Sequence, residues 1–228
     1  NKMLKKITTV GDSSIICDFG ENVDLPTNSH VIKLFHYVKN LAEEKKLKGL
    51  LNYTPSYNKL LINFDLEKIK SNKIIEMIKS IDISKISENT KSRKHIIPIC
   101  YDEEFALDLE LMEKKLNINF SEITKTHSET IFFVYMIGFI PGHPYMGDMD
   151  KKLHLSRIPT PRLRVPKGSI GLAEKFCNAY TFEAPGGWNI IGKTPLEFFN
   201  VKKDNPSVLS PGDTVKFESF KKSEIEKL

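Results

Sequence analysis

The sequence predicts an α+β chain of two domains. A ferredoxin-like α/β sandwich is expected over residues 1–90, followed over 91–228 by an all-β domain of short strands, a small barrel or sandwich. Three observations predict it. Residues 1–130 hold three of the twelve glycines and three of the twelve prolines, whereas 131–228 hold nine of each, so turns crowd the second half. The first half carries longer runs of helical period, the second short apolar runs between Pro/Gly turns. The 228 residues, 40% hydrophobic and 28% charged, suffice for one large or two small domains with real cores.

In chain order, "MLKKITTV" and "SSIICDFG" read as strands around the Gly11-Asp12 turn. Val31, Leu34, Phe35, Val38, Leu41 and Ala42 recur at helical spacing, which predicts an amphipathic helix over 28–47 with Asn28 or Ser29 as its N-cap. "LLNYT" and "KLLINF" form a strand pair across "PSYN". A second helix follows, with Leu66, Ile69, Ile78 and Ile81 among its apolar positions. After the polar link "SENTKSRK", the strand "HIIPIC" completes the ferredoxin-like order of strand, helix, two strands, helix, strand. Residues 103–129 carry two helical stretches, the second opening at Ser121. The strands "IFFVYMIGF", "RLRVP", "SIGLA", "AYTFEA", "WNIIG" and "DTVKFESF" then make the β domain.

Composition excludes several functions. A net charge of +5 is modest, and acids are interleaved with the lysines, so no nucleic-acid partner is expected. The longest apolar run, Ile131 to Ile140, is about half a bilayer span, and no membrane partner is expected. Cys17, Cys100 and Cys177 form neither a disulfide framework nor a metal-type pair, and they suit a reducing cytoplasm.

Arginine is the conspicuous choice. Of 34 basic residues only four are arginine, and three of these, Arg157, Arg162 and Arg164, fall within "SRIPTPRLRVPKGS". A guanidinium grips carboxylate or phosphate through two hydrogen bonds, which a lysine point charge cannot copy. The alternation of Arg162 and Arg164 with Leu163 and Val165 is equally that of a plain barrel strand, so residue choice, and not pattern, argues for a site. The loop "GFIPGHPYMGDMD", stiffened by prolines, is placed to present His143 and Tyr145. His143, Asp148, Asp150 and His154 match no recognised ligand spacing, and no metal is expected. Cys177 shares its half with His127, His143 and His154, with no catalytic signature around it. Gly187 to Thr194 fits the phosphate-loop letters G-x-x-x-x-G-K-[ST], yet its interior Trp-Asn-Ile-Ile favours extended strand, which predicts a chance match.

Four ordered motifs, "GFIPGHPYMGDMD", "RIPTPRLRVPKGSIGLA", "APGGWNIIGKTP" and "LSPGDTVKF", together resemble the family of KipI and the 5-oxoprolinase B subunit (PxpB), also called allophanate hydrolase subunit 1. The resemblance extends weakly through the first half. It implies that the second domain is a cyclophilin-like β-barrel. It also implies a component of an ATP-dependent 5-oxoprolinase that opens 5-oxo-L-proline to L-glutamate with partner subunits A and C, the complex using ATP. The family holds alternatives: a regulator that inhibits a histidine kinase, and an allophanate hydrolase or urea carboxylase-related subunit. The chain departs from the family pattern at His143, where phenylalanine is usual, at Ser156, at Lys193, and at Glu174, Cys177, Asn178 and Thr181.

These readings give a candidate site for a small anionic substrate: Arg157, Arg162, Tyr145, His143, Gly186, Gly187, Trp188 and Lys193. The forks of Arg157 and Arg162 are expected to converge on one cleft with Tyr145 and the Gly186–Trp188 turn, and Arg164 to be exposed or at a subunit interface. No general base is identifiable, and the isolated chain is expected to be inactive.

Overall fold

A computed structural model of the chain describes residues 3–86 and 92–225; most of the "SENTKSRK" link lies outside the described residues. The chain has a mixed α/β fold, in two compact units, Asn1–Lys91 and Ser92–Leu228. Among the described residues no helix is long and apolar enough to cross a membrane.

The first unit runs β1 (Lys6–Thr9), β2 (Ser14–Asp18), α1 (Leu25–Glu43), β3 (Leu50–Pro55), β4 (Lys59–Phe64) and α2 (Ser71–Ser80). Its sheet is antiparallel with strand order β1-β2-β4-β3. Alternate residues Ile15, Cys17, Leu60, Ile62 and Phe64 gather with Val31, Leu34 and Val38 of α1 and Ile74 and Ile78 of α2. Helix α1 starts earlier than its apolar period predicts. Asp24 is the cap, accepting the Thr27 amide at 2.8 Å, and Pro26 sits in the first turn, where its missing N–H costs nothing. Asn28, read as a cap, is buried and donates instead to the carbonyls of Ser56 and Tyr57, pinning the β3–β4 turn.

The strand expected to close a ferredoxin-like sheet lies elsewhere. "HIIPIC" forms β5 (Lys94–Ile99), which pairs in parallel with the last strand of the second unit. The first unit therefore reads ββαββα. Asp213 explains the allegiance. Its buried carboxylate accepts the Arg93 amide (3.0 Å), the Arg93 guanidinium (2.9 Å), His95 Nε2 (2.9 Å) and the Ser210 amide (3.0 Å), so both chain ends of the strand pair meet on one charge.

The second unit continues with α3 (Leu109–Leu116), α4 (Phe120–Glu129), β6 (Ile131–Ile137), β7 (Pro144–Gly147), β8 (Arg162–Val165), β9 (Ser169–Ala173), β10 (Phe176–Ala179), β11 (Ala184–Gly186), β12 (Asn189–Lys193) and β13 (Thr214–Ser219). Seven strands form a curled half-barrel sheet in the order β12-β9-β10-β7-β6-β13-β5, and β8 and β11 form a separate ribbon. The two edges of the large sheet meet where Cys100 and Lys193 exchange backbone hydrogen bonds of 2.8 and 2.9 Å. Glycine is required next to that junction: a Cβ on Gly192 would stand 2.5 Å from the Cys100 carbonyl.

Two expectations change here. "AYTFEA" is mostly a turn, and the strand precedes it as Phe176–Ala179. Strand β7, read as loop because of its prolines, begins at Pro144; a first strand position tolerates the missing N–H. The phosphate-loop letters, by contrast, do fall on extended strand β12 paired with β9.

The core of this unit takes Ile97, Ile99, Phe132, Val134, Met146, Leu172, Ile191 and Phe217 from the sheet, and Met112 and Ile123 from the helices. His127 of α4 is enclosed with them, between the rings of Phe132 and Phe217. Tyr101 Oη lies 2.7 Å from its Nδ1 and Cys177 Sγ 3.5 Å from its Nε2. Burial holds His127 at a pKa of about 3, well below the usual 6.5, and raises the Cys177 thiol well above its ordinary value. The folded state thus refuses a proton that the unfolded state accepts below pH 6.5. This contribution to stability is complete above pH 6.5 and is lost as pH falls toward 3. By pH 5.0 the loss amounts to about 2 kcal/mol. Urea unfolding at pH 7.5 and 5.0 should show the parent losing about 2 kcal/mol more than His127→Phe over that interval; equal losses would contradict a neutral buried imidazole.

Candidate anion-binding site

Strand register defines the site. Val134, Met146, Cys177 and Leu172 pair in one row across β6, β7, β10 and β9, and all belong to the core. The adjacent row is Met136, Tyr145, Asn178, Gly171 and Ile190. Neighbours along a strand point to opposite faces, so this second row lies on the face away from the core.

His143 joins that face through the turn before β7. Gly138 N–H bonds the His143 carbonyl at 3.0 Å and His143 N–H the Ile140 carbonyl at 3.1 Å, a tight turn in which Phe139 and Gly142 have left-handed φ of 72°. The imidazole is buried, its Nε2 lies 3.2 Å from the Asn178 amide nitrogen, and the rings of Phe139, Tyr145 and Tyr180 meet it edge-on. Burial lowers its pKa to about 4, so it is neutral at physiological pH.

The Gly186–Trp188 turn supplies the opposite wall. A Cβ on Gly186 would collide with the Tyr180 hydroxyl, so glycine there lets the turn lie against that phenol. The Gly187 carbonyl accepts the Ile158 amide at 2.8 Å, which fixes the arginine segment beside the turn. Trp188 packs edge-on to Tyr145 at 5.9 Å, and the exposed Arg157 places its guanidinium 5.9 Å from the indole centroid. Burial raises the Tyr145 and Tyr180 phenols, and the nearby Arg157 charge opposes that rise in both. Arg157, Tyr145, His143, Gly186, Gly187 and Trp188 therefore converge.

Arg162 and Lys193 do not join them. Arg162 lies opposite Gly186 in the β8–β11 ribbon, but its fork turns to Asp108, with Nη2 2.7 Å from Oδ1 and Nη1 3.0 Å from Oδ2. Asp108 is 6% exposed and also accepts the Ile190 amide at 2.7 Å. The fork expected to grip a ligand is thus committed to a buried carboxylate that sequence reasoning missed, one acid among several in "YDEEFALD". Lys193 holds its ammonium over Phe105, 5.5 Å from the ring centre. Arg164 is 83% exposed, 3.6 Å from Glu183.

Asn178 and Tyr180 are the other contributors that no site motif flagged, although Asn178 was visible as a departure from the family pattern. Thr181, a second such departure, donates to the Pro141 carbonyl at 2.7 Å and ties the same turn down. The four possible metal ligands go separate ways: Asp148 accepts from Tyr135, Asp150 caps the Lys152 amide, His154 meets the Met149 carbonyl and His143 meets Asn178. Of the three histidines in its half, Cys177 meets only His127, and it does so inside the core.

Residues 5–209 match the family model of the carboxyltransferase domain, subdomain C and D. The chain belongs to this family. A Bacillus subtilis (strain 168) protein, named as the B subunit of 5-oxoprolinase, is 31% identical over 223 residues, 93% of this chain and 91% of the relative. Membership of the 5-oxoprolinase B-subunit family follows. A urea amidolyase from Lachancea kluyveri is 21% identical over 248 residues, 95% of this chain but 13% of that protein. The crystal structure of TTHA0988 superposes with a TM-score of 0.80 at 27% identity, covering 91% of this chain; this chain spans only 40% of that one.

The division between the arginines is testable. Arg162→Lys should destabilise the protein by about 1.5–3 kcal/mol, because the buried Asp108 loses its bidentate partner. Arg157→Lys, at an exposed position, should stay within about 0.5 kcal/mol of the parent. Chemical denaturation of both variants decides it, and equal effects would refute the assignment.

Proposed function

We propose that this chain is the B subunit of an ATP-dependent 5-oxoprolinase, a complex converting 5-oxo-L-proline to L-glutamate with subunits A and C in the cytoplasm. In this reading the two compact units are two domains, and the second is a cyclophilin-like β-barrel. A relative that carries the B-subunit name, matched over nearly its whole length, supports the assignment. The observation that carries the chemistry is the convergence of Arg157 with Tyr145 on an aromatic wall, a geometry suited to a small carboxylate.

Within the site, Arg157 holds the substrate carboxylate and Tyr145 orients the ring, while Trp188 and Tyr180 exclude water from one side. The chain supplies binding and not a nucleophile. Its one Cys–His contact among the described residues is buried, with the thiol shifted up and the imidazole shifted down, the reverse of an activated pair. Nor does its phosphate-loop stretch fit ATP. The Lys193 and Thr194 amides that such a loop would aim at phosphate already bond the carbonyls of Cys100 and Gly168. ATP activation of the lactam, and the base that directs water to it, are therefore assigned to the partner subunits.

The chain alone, and the chain together with the A and C partner subunits, should be assayed for ATP-dependent glutamate release from 5-oxo-L-proline. The expected outcome is turnover only in the complex, with Arg157→Ala losing roughly ten- to a hundredfold in kcat/KM, the equivalent of one charge-assisted contact. Full turnover by the chain alone, or an active complex indifferent to Arg157, would overturn the proposal. An assembled complex without 5-oxoprolinase activity would favour the carboxyl-transfer or kinase-regulator branches.

A further inference from the structure

Helix α3 holds the arginine segment at both of its ends. At its start Asp108 takes the Arg162 fork. Seven positions on, about two turns and so on the same side of the helix, Lys115 takes the other arginine by its main chain. The Lys115 ammonium donates to the carbonyls of Ser156 and Arg157, both at 3.2 Å.

The sheet holds the same short stretch from below. Asn189 of β12 is fully buried, and its amide nitrogen donates to the carbonyls of Ser156 and of Leu172 in β9, both at 2.9 Å. Its Oδ1 is buried without a hydrogen-bond partner among the described residues. Turning the amide over would set that oxygen against two carbonyl oxygens, so the two donors fix its orientation. An interior asparagine that leaves its acceptor orphaned is there for its donors. On either side, the Leu155 carbonyl accepts the Glu174 amide at 2.7 Å and the Ile158 amide donates to the Gly187 carbonyl at 2.8 Å. Every carbonyl from Leu155 to Arg157 thus has a donor, and Leu155 and Ile158 are buried about the exposed Ser156 and Arg157. The backbone under Arg157 is fixed, while its guanidinium lies exposed beside Trp188.

We propose that Lys115 and Asn189 are positioning residues for the anion site: they touch no ligand, and by clamping the Ser156–Arg157 main chain they set where the Arg157 guanidinium meets a carboxylate. The proposal rests on the reading of Arg157 as the carboxylate-binding residue. A fixed backbone leaves only the side chain to be ordered when the ligand arrives, which lowers the entropy lost on binding. The carboxylate is not the group that reacts, so its contact is made alike in ground and transition states and shows in KM rather than in kcat.

The complex of the chain with its partner subunits tests this, by measurement of KM and kcat for 5-oxo-L-proline in a double-mutant cycle with Arg157→Ala. Lys115→Met, at an exposed position, should leave the thermal midpoint unchanged and raise KM about three- to tenfold, with kcat within about twofold of the parent. Lys115→Arg, whose fork can donate to the same two carbonyls, should recover most of the loss. In the Arg157→Ala background Lys115→Met should change nothing further. A lysine acting only through its charge, or only on the fold, would cost as much there as in the parent. Asn189→Asp, which keeps the shape and removes both donors, should behave as Lys115→Met does; if it fails to fold, the Lys115 series decides alone. An unchanged KM in Lys115→Met, or an equal loss with Arg157 present and absent, overturns the inference, while an impaired Arg157→Ala complex leaves the anion site standing. An Arg157→Ala complex as active as the parent overturns the anion-site reading and the positioning role with it. Should the complex not turn over, the calorimetric Kd for 5-oxo-L-proline replaces KM in the same cycle, and absence of binding overturns both.

Discussion

A buried carboxylate organises the second unit. Asp108 sits at the start of α3, almost without solvent, and receives the Ile190 amide and both arms of the Arg162 fork. A carboxylate removed from water costs several kcal/mol unless it is fully partnered, and a planar fork meets both of its oxygens where an ammonium meets one. Three elements distant in sequence are thereby tied together: α3, the β8–β11 ribbon and strand β12. The ribbon carries Gly186, and β12 follows Trp188, so the wall of the candidate site stands where this charge pair puts it. With Arg162 committed inward, Arg157 is the one of the two left exposed, beside Trp188.

Much of this architecture was legible in the sequence, because the features read there are local. The uneven distribution of glycine and proline marked where turns crowd, and helical period found α1 and α4 to within a few residues. The interior Trp-Asn-Ile-Ile was enough to decide against a phosphate loop. What was not legible depends on long-range partners. The allegiance of β5 rests on Asp213, more than a hundred residues away. Strand β7 hides behind Pro144, whose cost vanishes only because it is the first residue of its strand. Arg157 and Arg162 look alike in the text, and only Asp108, an unremarkable acid in an acidic stretch, separates them.

The site's chemistry follows from burial more than from charge. Both histidines that approach it or the core are neutral, the thiol is protonated, and the phenols titrate above their ordinary range except as Arg157 opposes that rise. Such groups orient and discriminate; they do not attack. The proposed role in substrate recognition rests on that character, and the chain's relatives include both a protein named as a separate subunit and a segment of a much longer enzyme.

The central claim is that one arginine of this segment faces the ligand and one holds the fold. Phenylglyoxal, which labels accessible guanidinium groups, reports on that directly when the modified peptides are followed by mass spectrometry. The account predicts rapid labelling of Arg157 and Arg164, slow labelling of Arg162 in the folded protein, and protection of Arg157 alone by 5-oxo-L-proline. Labelling of Arg162 as fast as Arg157, or protection of Arg162 in its place, would contradict it.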